Sequence, residues 1–181
     1  METIKQKEKK AFEKLKEQFG YTNVMQAPRL KKVVVSTGVG KIKTDKRKVE
    51  LIPSKLSAIT GQVPSLRPAK KSIATFKVRE GQVSGYQVTL RGERMYTFLD
   101  KLVNVALPRT RDFRGINASA VDEMGNYTLG IKENTIFPET VDEDLKDVFG
   151  MAVTIVTSSD NKEETEAFLR ALGFPFKKES K

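Results

Sequence analysis

The sequence contains no cysteine and no histidine. Without cysteine there is no disulfide framework, no thiolate zinc site and no cysteine nucleophile, which suits a reducing cytoplasm. Without histidine, serine triads and the commonest metal ligand and acid/base group are excluded, so catalysis would rest on carboxylates or lysines alone. A long apolar run is missing too. No window approaches the length needed to span a bilayer, and the opening METIKQKEKK lacks the apolar stretch of a secretory signal. The expectation is a soluble, cytoplasmic protein that is not an enzyme, holds no cofactor or metal, and has no membrane partner.

What the sequence does have is positive charge, unevenly placed. The 33 Lys and Arg against 23 Asp and Glu give a net charge of +10 over 181 residues, a field that attracts polyanions. Residues 1–114 hold 26 basic and 10 acidic side chains, net +16, while residues 115–181 hold 7 and 13, net −6, and the two sum to the whole. This split points to a part that binds nucleic acid joined to a part that avoids it; the plainer alternative is a chance bias of solvated helix faces. The length suits a single domain over 1–181, and the apolar fraction of 38%, to which 12 Gly add, is enough for a core.

Ile4, Ala11, Phe12, Leu15 and Phe19 recur at helical spacing with Gly20 as a stop, which predicts an amphipathic, lysine-rich helix within residues 1–20. Asn23 caps a short turn, Pro28 forces Ala27 out of helical geometry, and the β-branched run Val33-Val34-Val35 marks a first strand from Leu30 to Ser36. After a flexible glycine turn, Val49, Ile52, Leu56 and Ile59 predict a second helix that Pro53 kinks or restarts and Gly61 ends. Val63 to Leu66 is a short extended piece. Residues 67–85 are expected to form a long mobile basic loop, followed by a half-buried strand in which Tyr86, Val88 and Leu90 alternate with Gln87, Thr89 and Arg91. Met95, Phe98, Leu99, Leu102 and Val105 share one face of a buried helix from Glu93 to Ala106, with Pro108 just beyond it. Asn126 to Ile131 and Met151 to Thr157 are two further strands, and Asp160 with Glu163 forms the capping pair of a last helix that Gly173 stops.

This order, a helix, then βαββαβ, then β and α, predicts an α+β fold. A mainly antiparallel sheet would carry helices packed on one face, with N-terminal and C-terminal helices added and the other face free for a ligand. RNA-recognition modules share the arrangement, yet neither the first strand nor the strand from Gln87 to Arg91 presents the paired aromatics that stack unpaired bases. Structured RNA is favoured over single strands.

The Gly38-Val39-Gly40-Lys41 turn exposes backbone N–H groups as a phosphate loop does, but it fails as a nucleotide site. A Walker loop needs Gly at Val35 and Ser or Thr at Ile42, and a dinucleotide fingerprint needs a third Gly at Lys43. A turn that RNA backbone approaches and a purely structural turn both remain open. Arg67, Lys70, Lys71, Lys77 and Arg79 form a basic run with no acidic residue inside it and with Ile73 and Phe76 between its members. Each phosphate it neutralised would add about 0.7 to 0.9 to the salt dependence of binding; a solvated connection is the bland alternative. Three arginines, Arg109, Arg111 and Arg114, surround Phe113 in a segment suited to phosphate or to an acidic protein, and Asp112 could pair with one of them. Glu139, Asp142, Glu143, Asp144 and Asp147 lack calcium-loop spacing, so a solvated helix start near Val141 or a contact with a basic protein is expected instead. The sequons at Asn117 and Asn126 are chance matches in a cytoplasmic protein.

From about Phe19 to Lys177 the chain resembles a known family, the universal large-subunit ribosomal protein L-five in its bacterial form. The blocks that carry the likeness are 24–29 (VMQAPR), 38–40 (GVG), 59–62 (ITGQ), 70–81 (KKSIATFKVREG), 88–95 (VTLRGERM), 109–115 (RTRDFRG), 125–127 (GNY), 137–139 (FPE) and 174–176 (FPF). The resemblance implies a structural constituent of the large subunit that binds a loop of 5S rRNA and anchors it in the central protuberance. It implies large-subunit rRNA, other 5S rRNA-associated proteins, P-site tRNA and the small-subunit head protein S-thirteen as partners. Carried onto this sequence, the 5S-binding residues are Met25, Gln26, Arg29, Lys31, Thr37, Gly38, Gly40, Gln62, Arg67, Thr89 and Arg91. The tRNA-facing loop from Lys71 to Gly81 includes Ser72, Phe76, Lys77 and Arg79. The bridge between subunits uses Arg109, Arg111, Phe113 and Arg114 together with Asp142. The chain departs from the family in carrying Ser36 and Thr37 where Asn and an apolar residue are expected, Asn134 where Gln is common, and a more lysine-rich first helix.

Two other classes stay in view. An RNA-processing enzyme would need a lysine or carboxylate pair, and none stands out. An extra-ribosomal RNA chaperone or translational regulator would bind RNA without co-sedimenting with large subunits.

Overall fold

A computed structural model of the chain describes residues 2–40, 42, 45–111, 113–140 and 148–177. Helix α1 (Ile4–Phe19) starts where Thr3 and Gln6 cap each other's backbone N–H groups, and stops where Gly20 turns left-handed and donates its N–H to the Lys16 carbonyl. It buries Ile4, Ala11 and Leu15 and leaves most of its lysines exposed. Strand β1 (Leu30–Gly38) runs two residues beyond its expected end, because the alternation of Val33 and Val35 continues through Thr37. Helix α2 (Lys46–Thr60) is capped by Asp45 and closed by Gly61. It passes Pro53 unbroken rather than restarting there, since Ile52, Leu56 and Ile59 stay buried on either side of the proline.

Strands β2 (Ser65–Pro68) and β3 (Val83–Leu90) form an antiparallel pair, Ser65 opposite Gln87 and Arg67 opposite Gly85, with an irregularity between Arg67 and Pro68. This moves the extended piece expected at Val63 to Leu66 two residues onward. It also assigns both ends of the expected loop over 67–85 to the sheet. Gly85 has a packing reason: a Cβ there would lie 2.5 Å from the Thr37 carbonyl oxygen, so only glycine lets β1 approach this closely.

Helix α3 (Gly92–Lys101) buries Met95, Phe98 and Leu99. It does not continue as an α-helix to Ala106 but widens into a π-helical turn over Leu102–Ala106 and then tightens over Leu107–Arg109. Pro108 lacks the N–H that an α-helix would use there. The wider turn shifts the buried face, so Val103, Ala106 and Leu107 are buried while Val105, expected inside, is 40% exposed. Strands β4 (Asn126–Ile131) and β5 (Met151–Thr157) have the expected bounds. Helix α4 (Lys162–Leu172) is capped by Asn161, whose side chain accepts from the Glu163 N–H, not by Asp160.

The strands make one five-stranded antiparallel sheet in the order β2-β3-β1-β5-β4, so the fold is α+β. Along β5 alternate residues from Met151 to Thr157 are buried and those between are half-buried, the signature of a sheet with one packed face. The chain divides into two compact units, Met1–Val33 with Arg91–Leu129 and Thr154–Lys181, and Val34–Leu90 with Gly130–Val153. In the first, α1 packs against α4 and α3. Fully buried Phe168 and Leu169 sit in its core, each stabilising the fold by roughly 1.5–3 kcal/mol. In the second, α2 packs against β3 and the turn Pro138–Thr140. Buried Asn134 pairs there with the Phe149 backbone: its side-chain oxygen accepts from the Phe149 N–H and its own N–H donates to the Phe149 carbonyl, at 3.1 Å each.

Thr37 is 3% exposed, and its hydroxyl is the one buried side-chain polar atom without a hydrogen-bond partner among the described residues. An orphaned buried hydroxyl costs about 1–3 kcal/mol. Replacing Thr37 with Val keeps the shape and removes the orphan, so stability should rise by about 1 kcal/mol, a gain of roughly 2–4 °C in melting temperature. A drop in melting temperature would mean that the hydroxyl is bonded after all.

Candidate nucleic-acid interface

Of the residues singled out for RNA contact, Met25, Gln26, Arg29, Lys31 and Arg91 belong to the first unit. All five are exposed. A single turn of 3-10 helix, Val24–Gln26, presents the first two. Asn23 accepts from the Met25 N–H at 2.9 Å, and the Gln26 side-chain oxygen accepts from the N–H groups of Thr22 and Asn23 at 2.8 and 3.2 Å. That oxygen is occupied, and no described residue takes the Gln26 amide hydrogens. Met25 is 74% exposed, and the Arg29 guanidinium donates to its sulfur at 3.0 Å.

The backbone of Arg29 is held by side chains. Its N–H donates to Ser158 Oγ at 2.8 Å, its carbonyl accepts from the Ser158 N–H at 2.9 Å, and the next N–H, of Leu30, donates to Glu8 Oε1 at 2.9 Å. Glu8 Oε2 accepts from the Tyr96 hydroxyl. Burial, and after it the Glu8 carboxylate, push the Tyr96 phenol well above its ordinary range, so it remains a donor. Neither Ser158 nor Glu8 is legible in the sequence as part of a site, because both act on backbone across sequence gaps that no motif spans.

In the second unit, Gly38, Gly40 and Arg67 are exposed, while Gln62 and Thr89 are half-buried and joined, Gln62 donating its side-chain N–H to the Thr89 carbonyl at 3.3 Å. Thr37 points into the core and offers no side-chain surface. Gly38 and Gly40 have ordinary φ angles, and a Cβ at either would meet nothing within 4 Å. The fold itself therefore does not demand glycine at either position, and the space beside each is open.

The basic segment between β2 and β3 is a hairpin. The Ala69 N–H donates to the Gln82 carbonyl at 2.8 Å and the Gly81 N–H to the Ala69 carbonyl at 3.0 Å; farther out, Ile73 and Val78 exchange bonds of 2.9 and 3.2 Å. The Ser72 hydroxyl accepts from the Glu80 N–H at 2.9 Å. Lys70, Lys71, Lys77 and Arg79 are exposed on this frame, and Phe76 is 67% exposed at its end. Among the described residues no carboxylate lies within ion-pair distance of Arg29, Lys31, Arg67, Lys70, Lys71, Arg79 or Arg91. The pairs that do form, such as Lys5–Glu93, Lys10–Glu2 and Arg170–Glu166, involve helices, with Glu2 just before the start of α1.

Arg109, Arg111 and Arg114 are exposed and Phe113 is half-buried. Their segment is anchored where the Ile116 N–H donates to the Pro175 carbonyl at 2.8 Å and the Ile116 carbonyl accepts from the Lys177 N–H at 2.9 Å. Asp112 and the stretch from Val141 to Asp147, including Asp142, lie outside the described residues. Among the described residues no group of acidic side chains could hold a metal ion, and no helix is long and apolar enough to cross a membrane.

Exposed cations without carboxylate partners on the turns and hairpin of an α+β chain are what a protein that meets a polyanion such as RNA presents. Two family models match it: "Ribosomal protein L5" over residues 23–79 and the C-terminal model of the same ribosomal family over residues 83–176. Two curated relatives named "Large ribosomal subunit protein uL5" align over 164 residues. The one from Microcystis aeruginosa is 50% identical, covering 91% of this chain and 92% of its own length; the one from Ureaplasma urealyticum is 51% identical, covering 91% and 89%. A third, from Alkaliphilus metalliredigens, is 49% identical over 162 residues, 90% of each chain. The chain belongs to the ribosomal protein L5 family, whose members are structural rather than enzymatic.

The hydrogen-bonded frame of the hairpin is open to a direct check. In hydrogen exchange the amides of Ala69, Ile73, Val78 and Gly81 should exchange more slowly than those of Ala74 and Thr75. Uniformly fast exchange from Ala69 to Gln82 would instead describe an open loop.

Proposed function

We propose that this protein, a structural constituent of the large ribosomal subunit, binds a loop of 5S rRNA through the turn and strand residues up to Arg91 and holds that RNA in the central protuberance. The observation that carries the reading is the set of exposed cations left without carboxylate partners, Arg29, Lys31, Arg67 and Arg91, together with two glycines the fold does not need. Unpaired cations exchange condensed counterions for phosphate contacts. Glycine without a conformational reason leaves room for a backbone to come close. Phosphate contacts then dominate affinity, while Gln26 and Gln62 fit loop shape. In the second unit Arg67 adds a cation near the end of β2, and in the first unit Arg91 adds one just after β3.

The hairpin from Lys71 to Gly81 faces P-site tRNA, with Lys71, Ser72, Lys77 and Arg79 as polar contacts, Phe76 as a stacking surface and Gly81 at its base. The segment with Arg109, Arg111, Phe113 and Arg114 meets a protein of the small-subunit head, S-thirteen in the family, with Asp142 contributing. Large-subunit rRNA and the other 5S-associated proteins complete the surroundings.

Titration of 5S rRNA across a salt series tests the central claim, which fails if binding is no tighter than to an unrelated RNA of equal length. Replacing Gly38 with Ala should leave the melting temperature within about a degree and weaken 5S binding about tenfold, or ~1.4 kcal/mol; unchanged affinity would show that nothing approaches there. Changing Lys71, Lys77 and Arg79 together to Ala should spare 5S binding while weakening tRNA contact in the assembled ribosome. Equal loss of both would refute the division of surfaces.

A further inference from the structure

Arg29 sits at an unusual place in the sheet. It immediately precedes β1, and Ser158 immediately follows β5, the neighbouring strand. A regular ladder would close this rung with two backbone bonds, but here the backbone supplies only one, from the Ser158 N–H to the Arg29 carbonyl at 2.9 Å. The Ser158 hydroxyl stands in for the missing carbonyl, accepting from the Arg29 N–H at 2.8 Å. On the other side of Arg29, the Leu30 N–H is taken by a Glu8 oxygen from α1 at 2.9 Å. Three of the four hydrogen-bonding groups in the two peptides flanking Arg29 are thus fixed, two of them by side chains. The remaining group is the Pro28 carbonyl.

Both Glu8 oxygens are engaged by donors, the second by Tyr96, so a carboxylate close to a phosphate-binding arginine is held by groups other than that arginine. Arg29 itself has no carboxylate within ion-pair distance among the described residues and is exposed. The arrangement fixes the backbone and leaves the guanidinium, which donates to the Met25 sulfur, with further N–H groups to offer an anion.

We propose that Ser158 and Glu8 are positioning residues for RNA binding, holding the peptide groups on either side of Arg29 so that its guanidinium meets a phosphate without rearrangement. The proposal rests on the RNA-binding role of Arg29 put forward above. It concerns two residues that touch no RNA themselves. A side chain whose backbone is already fixed loses less freedom on binding, so the gain appears as affinity.

The experiment measures binding of the full chain to 5S rRNA across a salt series, with thermal melts in parallel, for Arg29→Ala, Ser158→Ala, Ser158→Thr, Glu8→Ala and the double variant Ser158→Ala/Arg29→Ala. Arg29→Ala should lower the magnitude of the log–log salt slope by about 0.7 to 0.9, one phosphate. Ser158→Ala and Glu8→Ala should each weaken binding up to about tenfold, and Ser158→Thr, which keeps the hydroxyl, should restore it. In the Arg29→Ala background, Ser158→Ala should add no further loss. A Ser158→Ala loss of equal size with and without Arg29, or no loss at all, would overturn the positioning role and leave only strand-end closure. An unchanged slope and affinity in Arg29→Ala would remove the RNA contact itself and the proposal with it.

Discussion

A cation that is to neutralise a phosphate has to be left without a carboxylate of its own, and this constraint organises the molecule. The chain carries enough acid to pair many of its basic side chains, and on and beside its helices it does so: Lys5 with Glu93, Lys10 with Glu2, Arg170 with Glu166. At the start of β1, at the ends of β2 and β3 and along the hairpin, Arg29, Lys31, Arg67, Arg91, Lys70, Lys71 and Arg79 stand exposed with none among the described residues. Exposed pairs of the helical kind stabilise a protein very little. Their absence from the turns and hairpin therefore sacrifices little stability, and it keeps the local field positive.

Unpaired like charges repel, so the backbone beneath them needs support that does not use countercharge. The structure supplies it through neutral or fully engaged hydrogen-bonding groups. Asn23 and Gln26 close the turn that carries Met25, Ser158 and Glu8 fix the peptides around Arg29, and Ser72 ties Glu80 into the hairpin. In each case a side chain does for the backbone what regular secondary structure would do elsewhere.

Most of the fold is legible in the sequence because its signals are local. The bounds of α1, β4 and β5, the glycine stops after three of the helices and the alternation along β3 follow from periodicity and capping chemistry. What is not legible is set by non-local geometry. The π-helical turn that turns Val105 outward depends on how residues around Pro108 fit the core, and the choice of Asn161 over Asp160 as cap depends on where β5 releases the chain. The hairpin reads as a loose loop in the sequence because its cross-strand bonds pair residues such as Ile73 and Val78 whose apolar side chains carry no strand alternation. For the candidate site, charge and family resemblance are enough to choose Arg29 and Lys31. They also select Thr37, which alternation along β1 directs into the core. Nothing in the sequence points to Ser158 or Glu8, since a bond from a side chain to a distant peptide leaves no periodic trace.

Strand β2 is one edge of the sheet, and an open edge is a template on which a second copy of the chain could pair. This edge is poorly suited to that use. It is four residues long, its register breaks between Arg67 and Pro68, and Pro68 offers no N–H to an incoming strand. Arg67 would also bring like charges together across any such pair. Arg67, proposed above to face RNA, thus also helps to make this edge a poor template for a second copy of the chain.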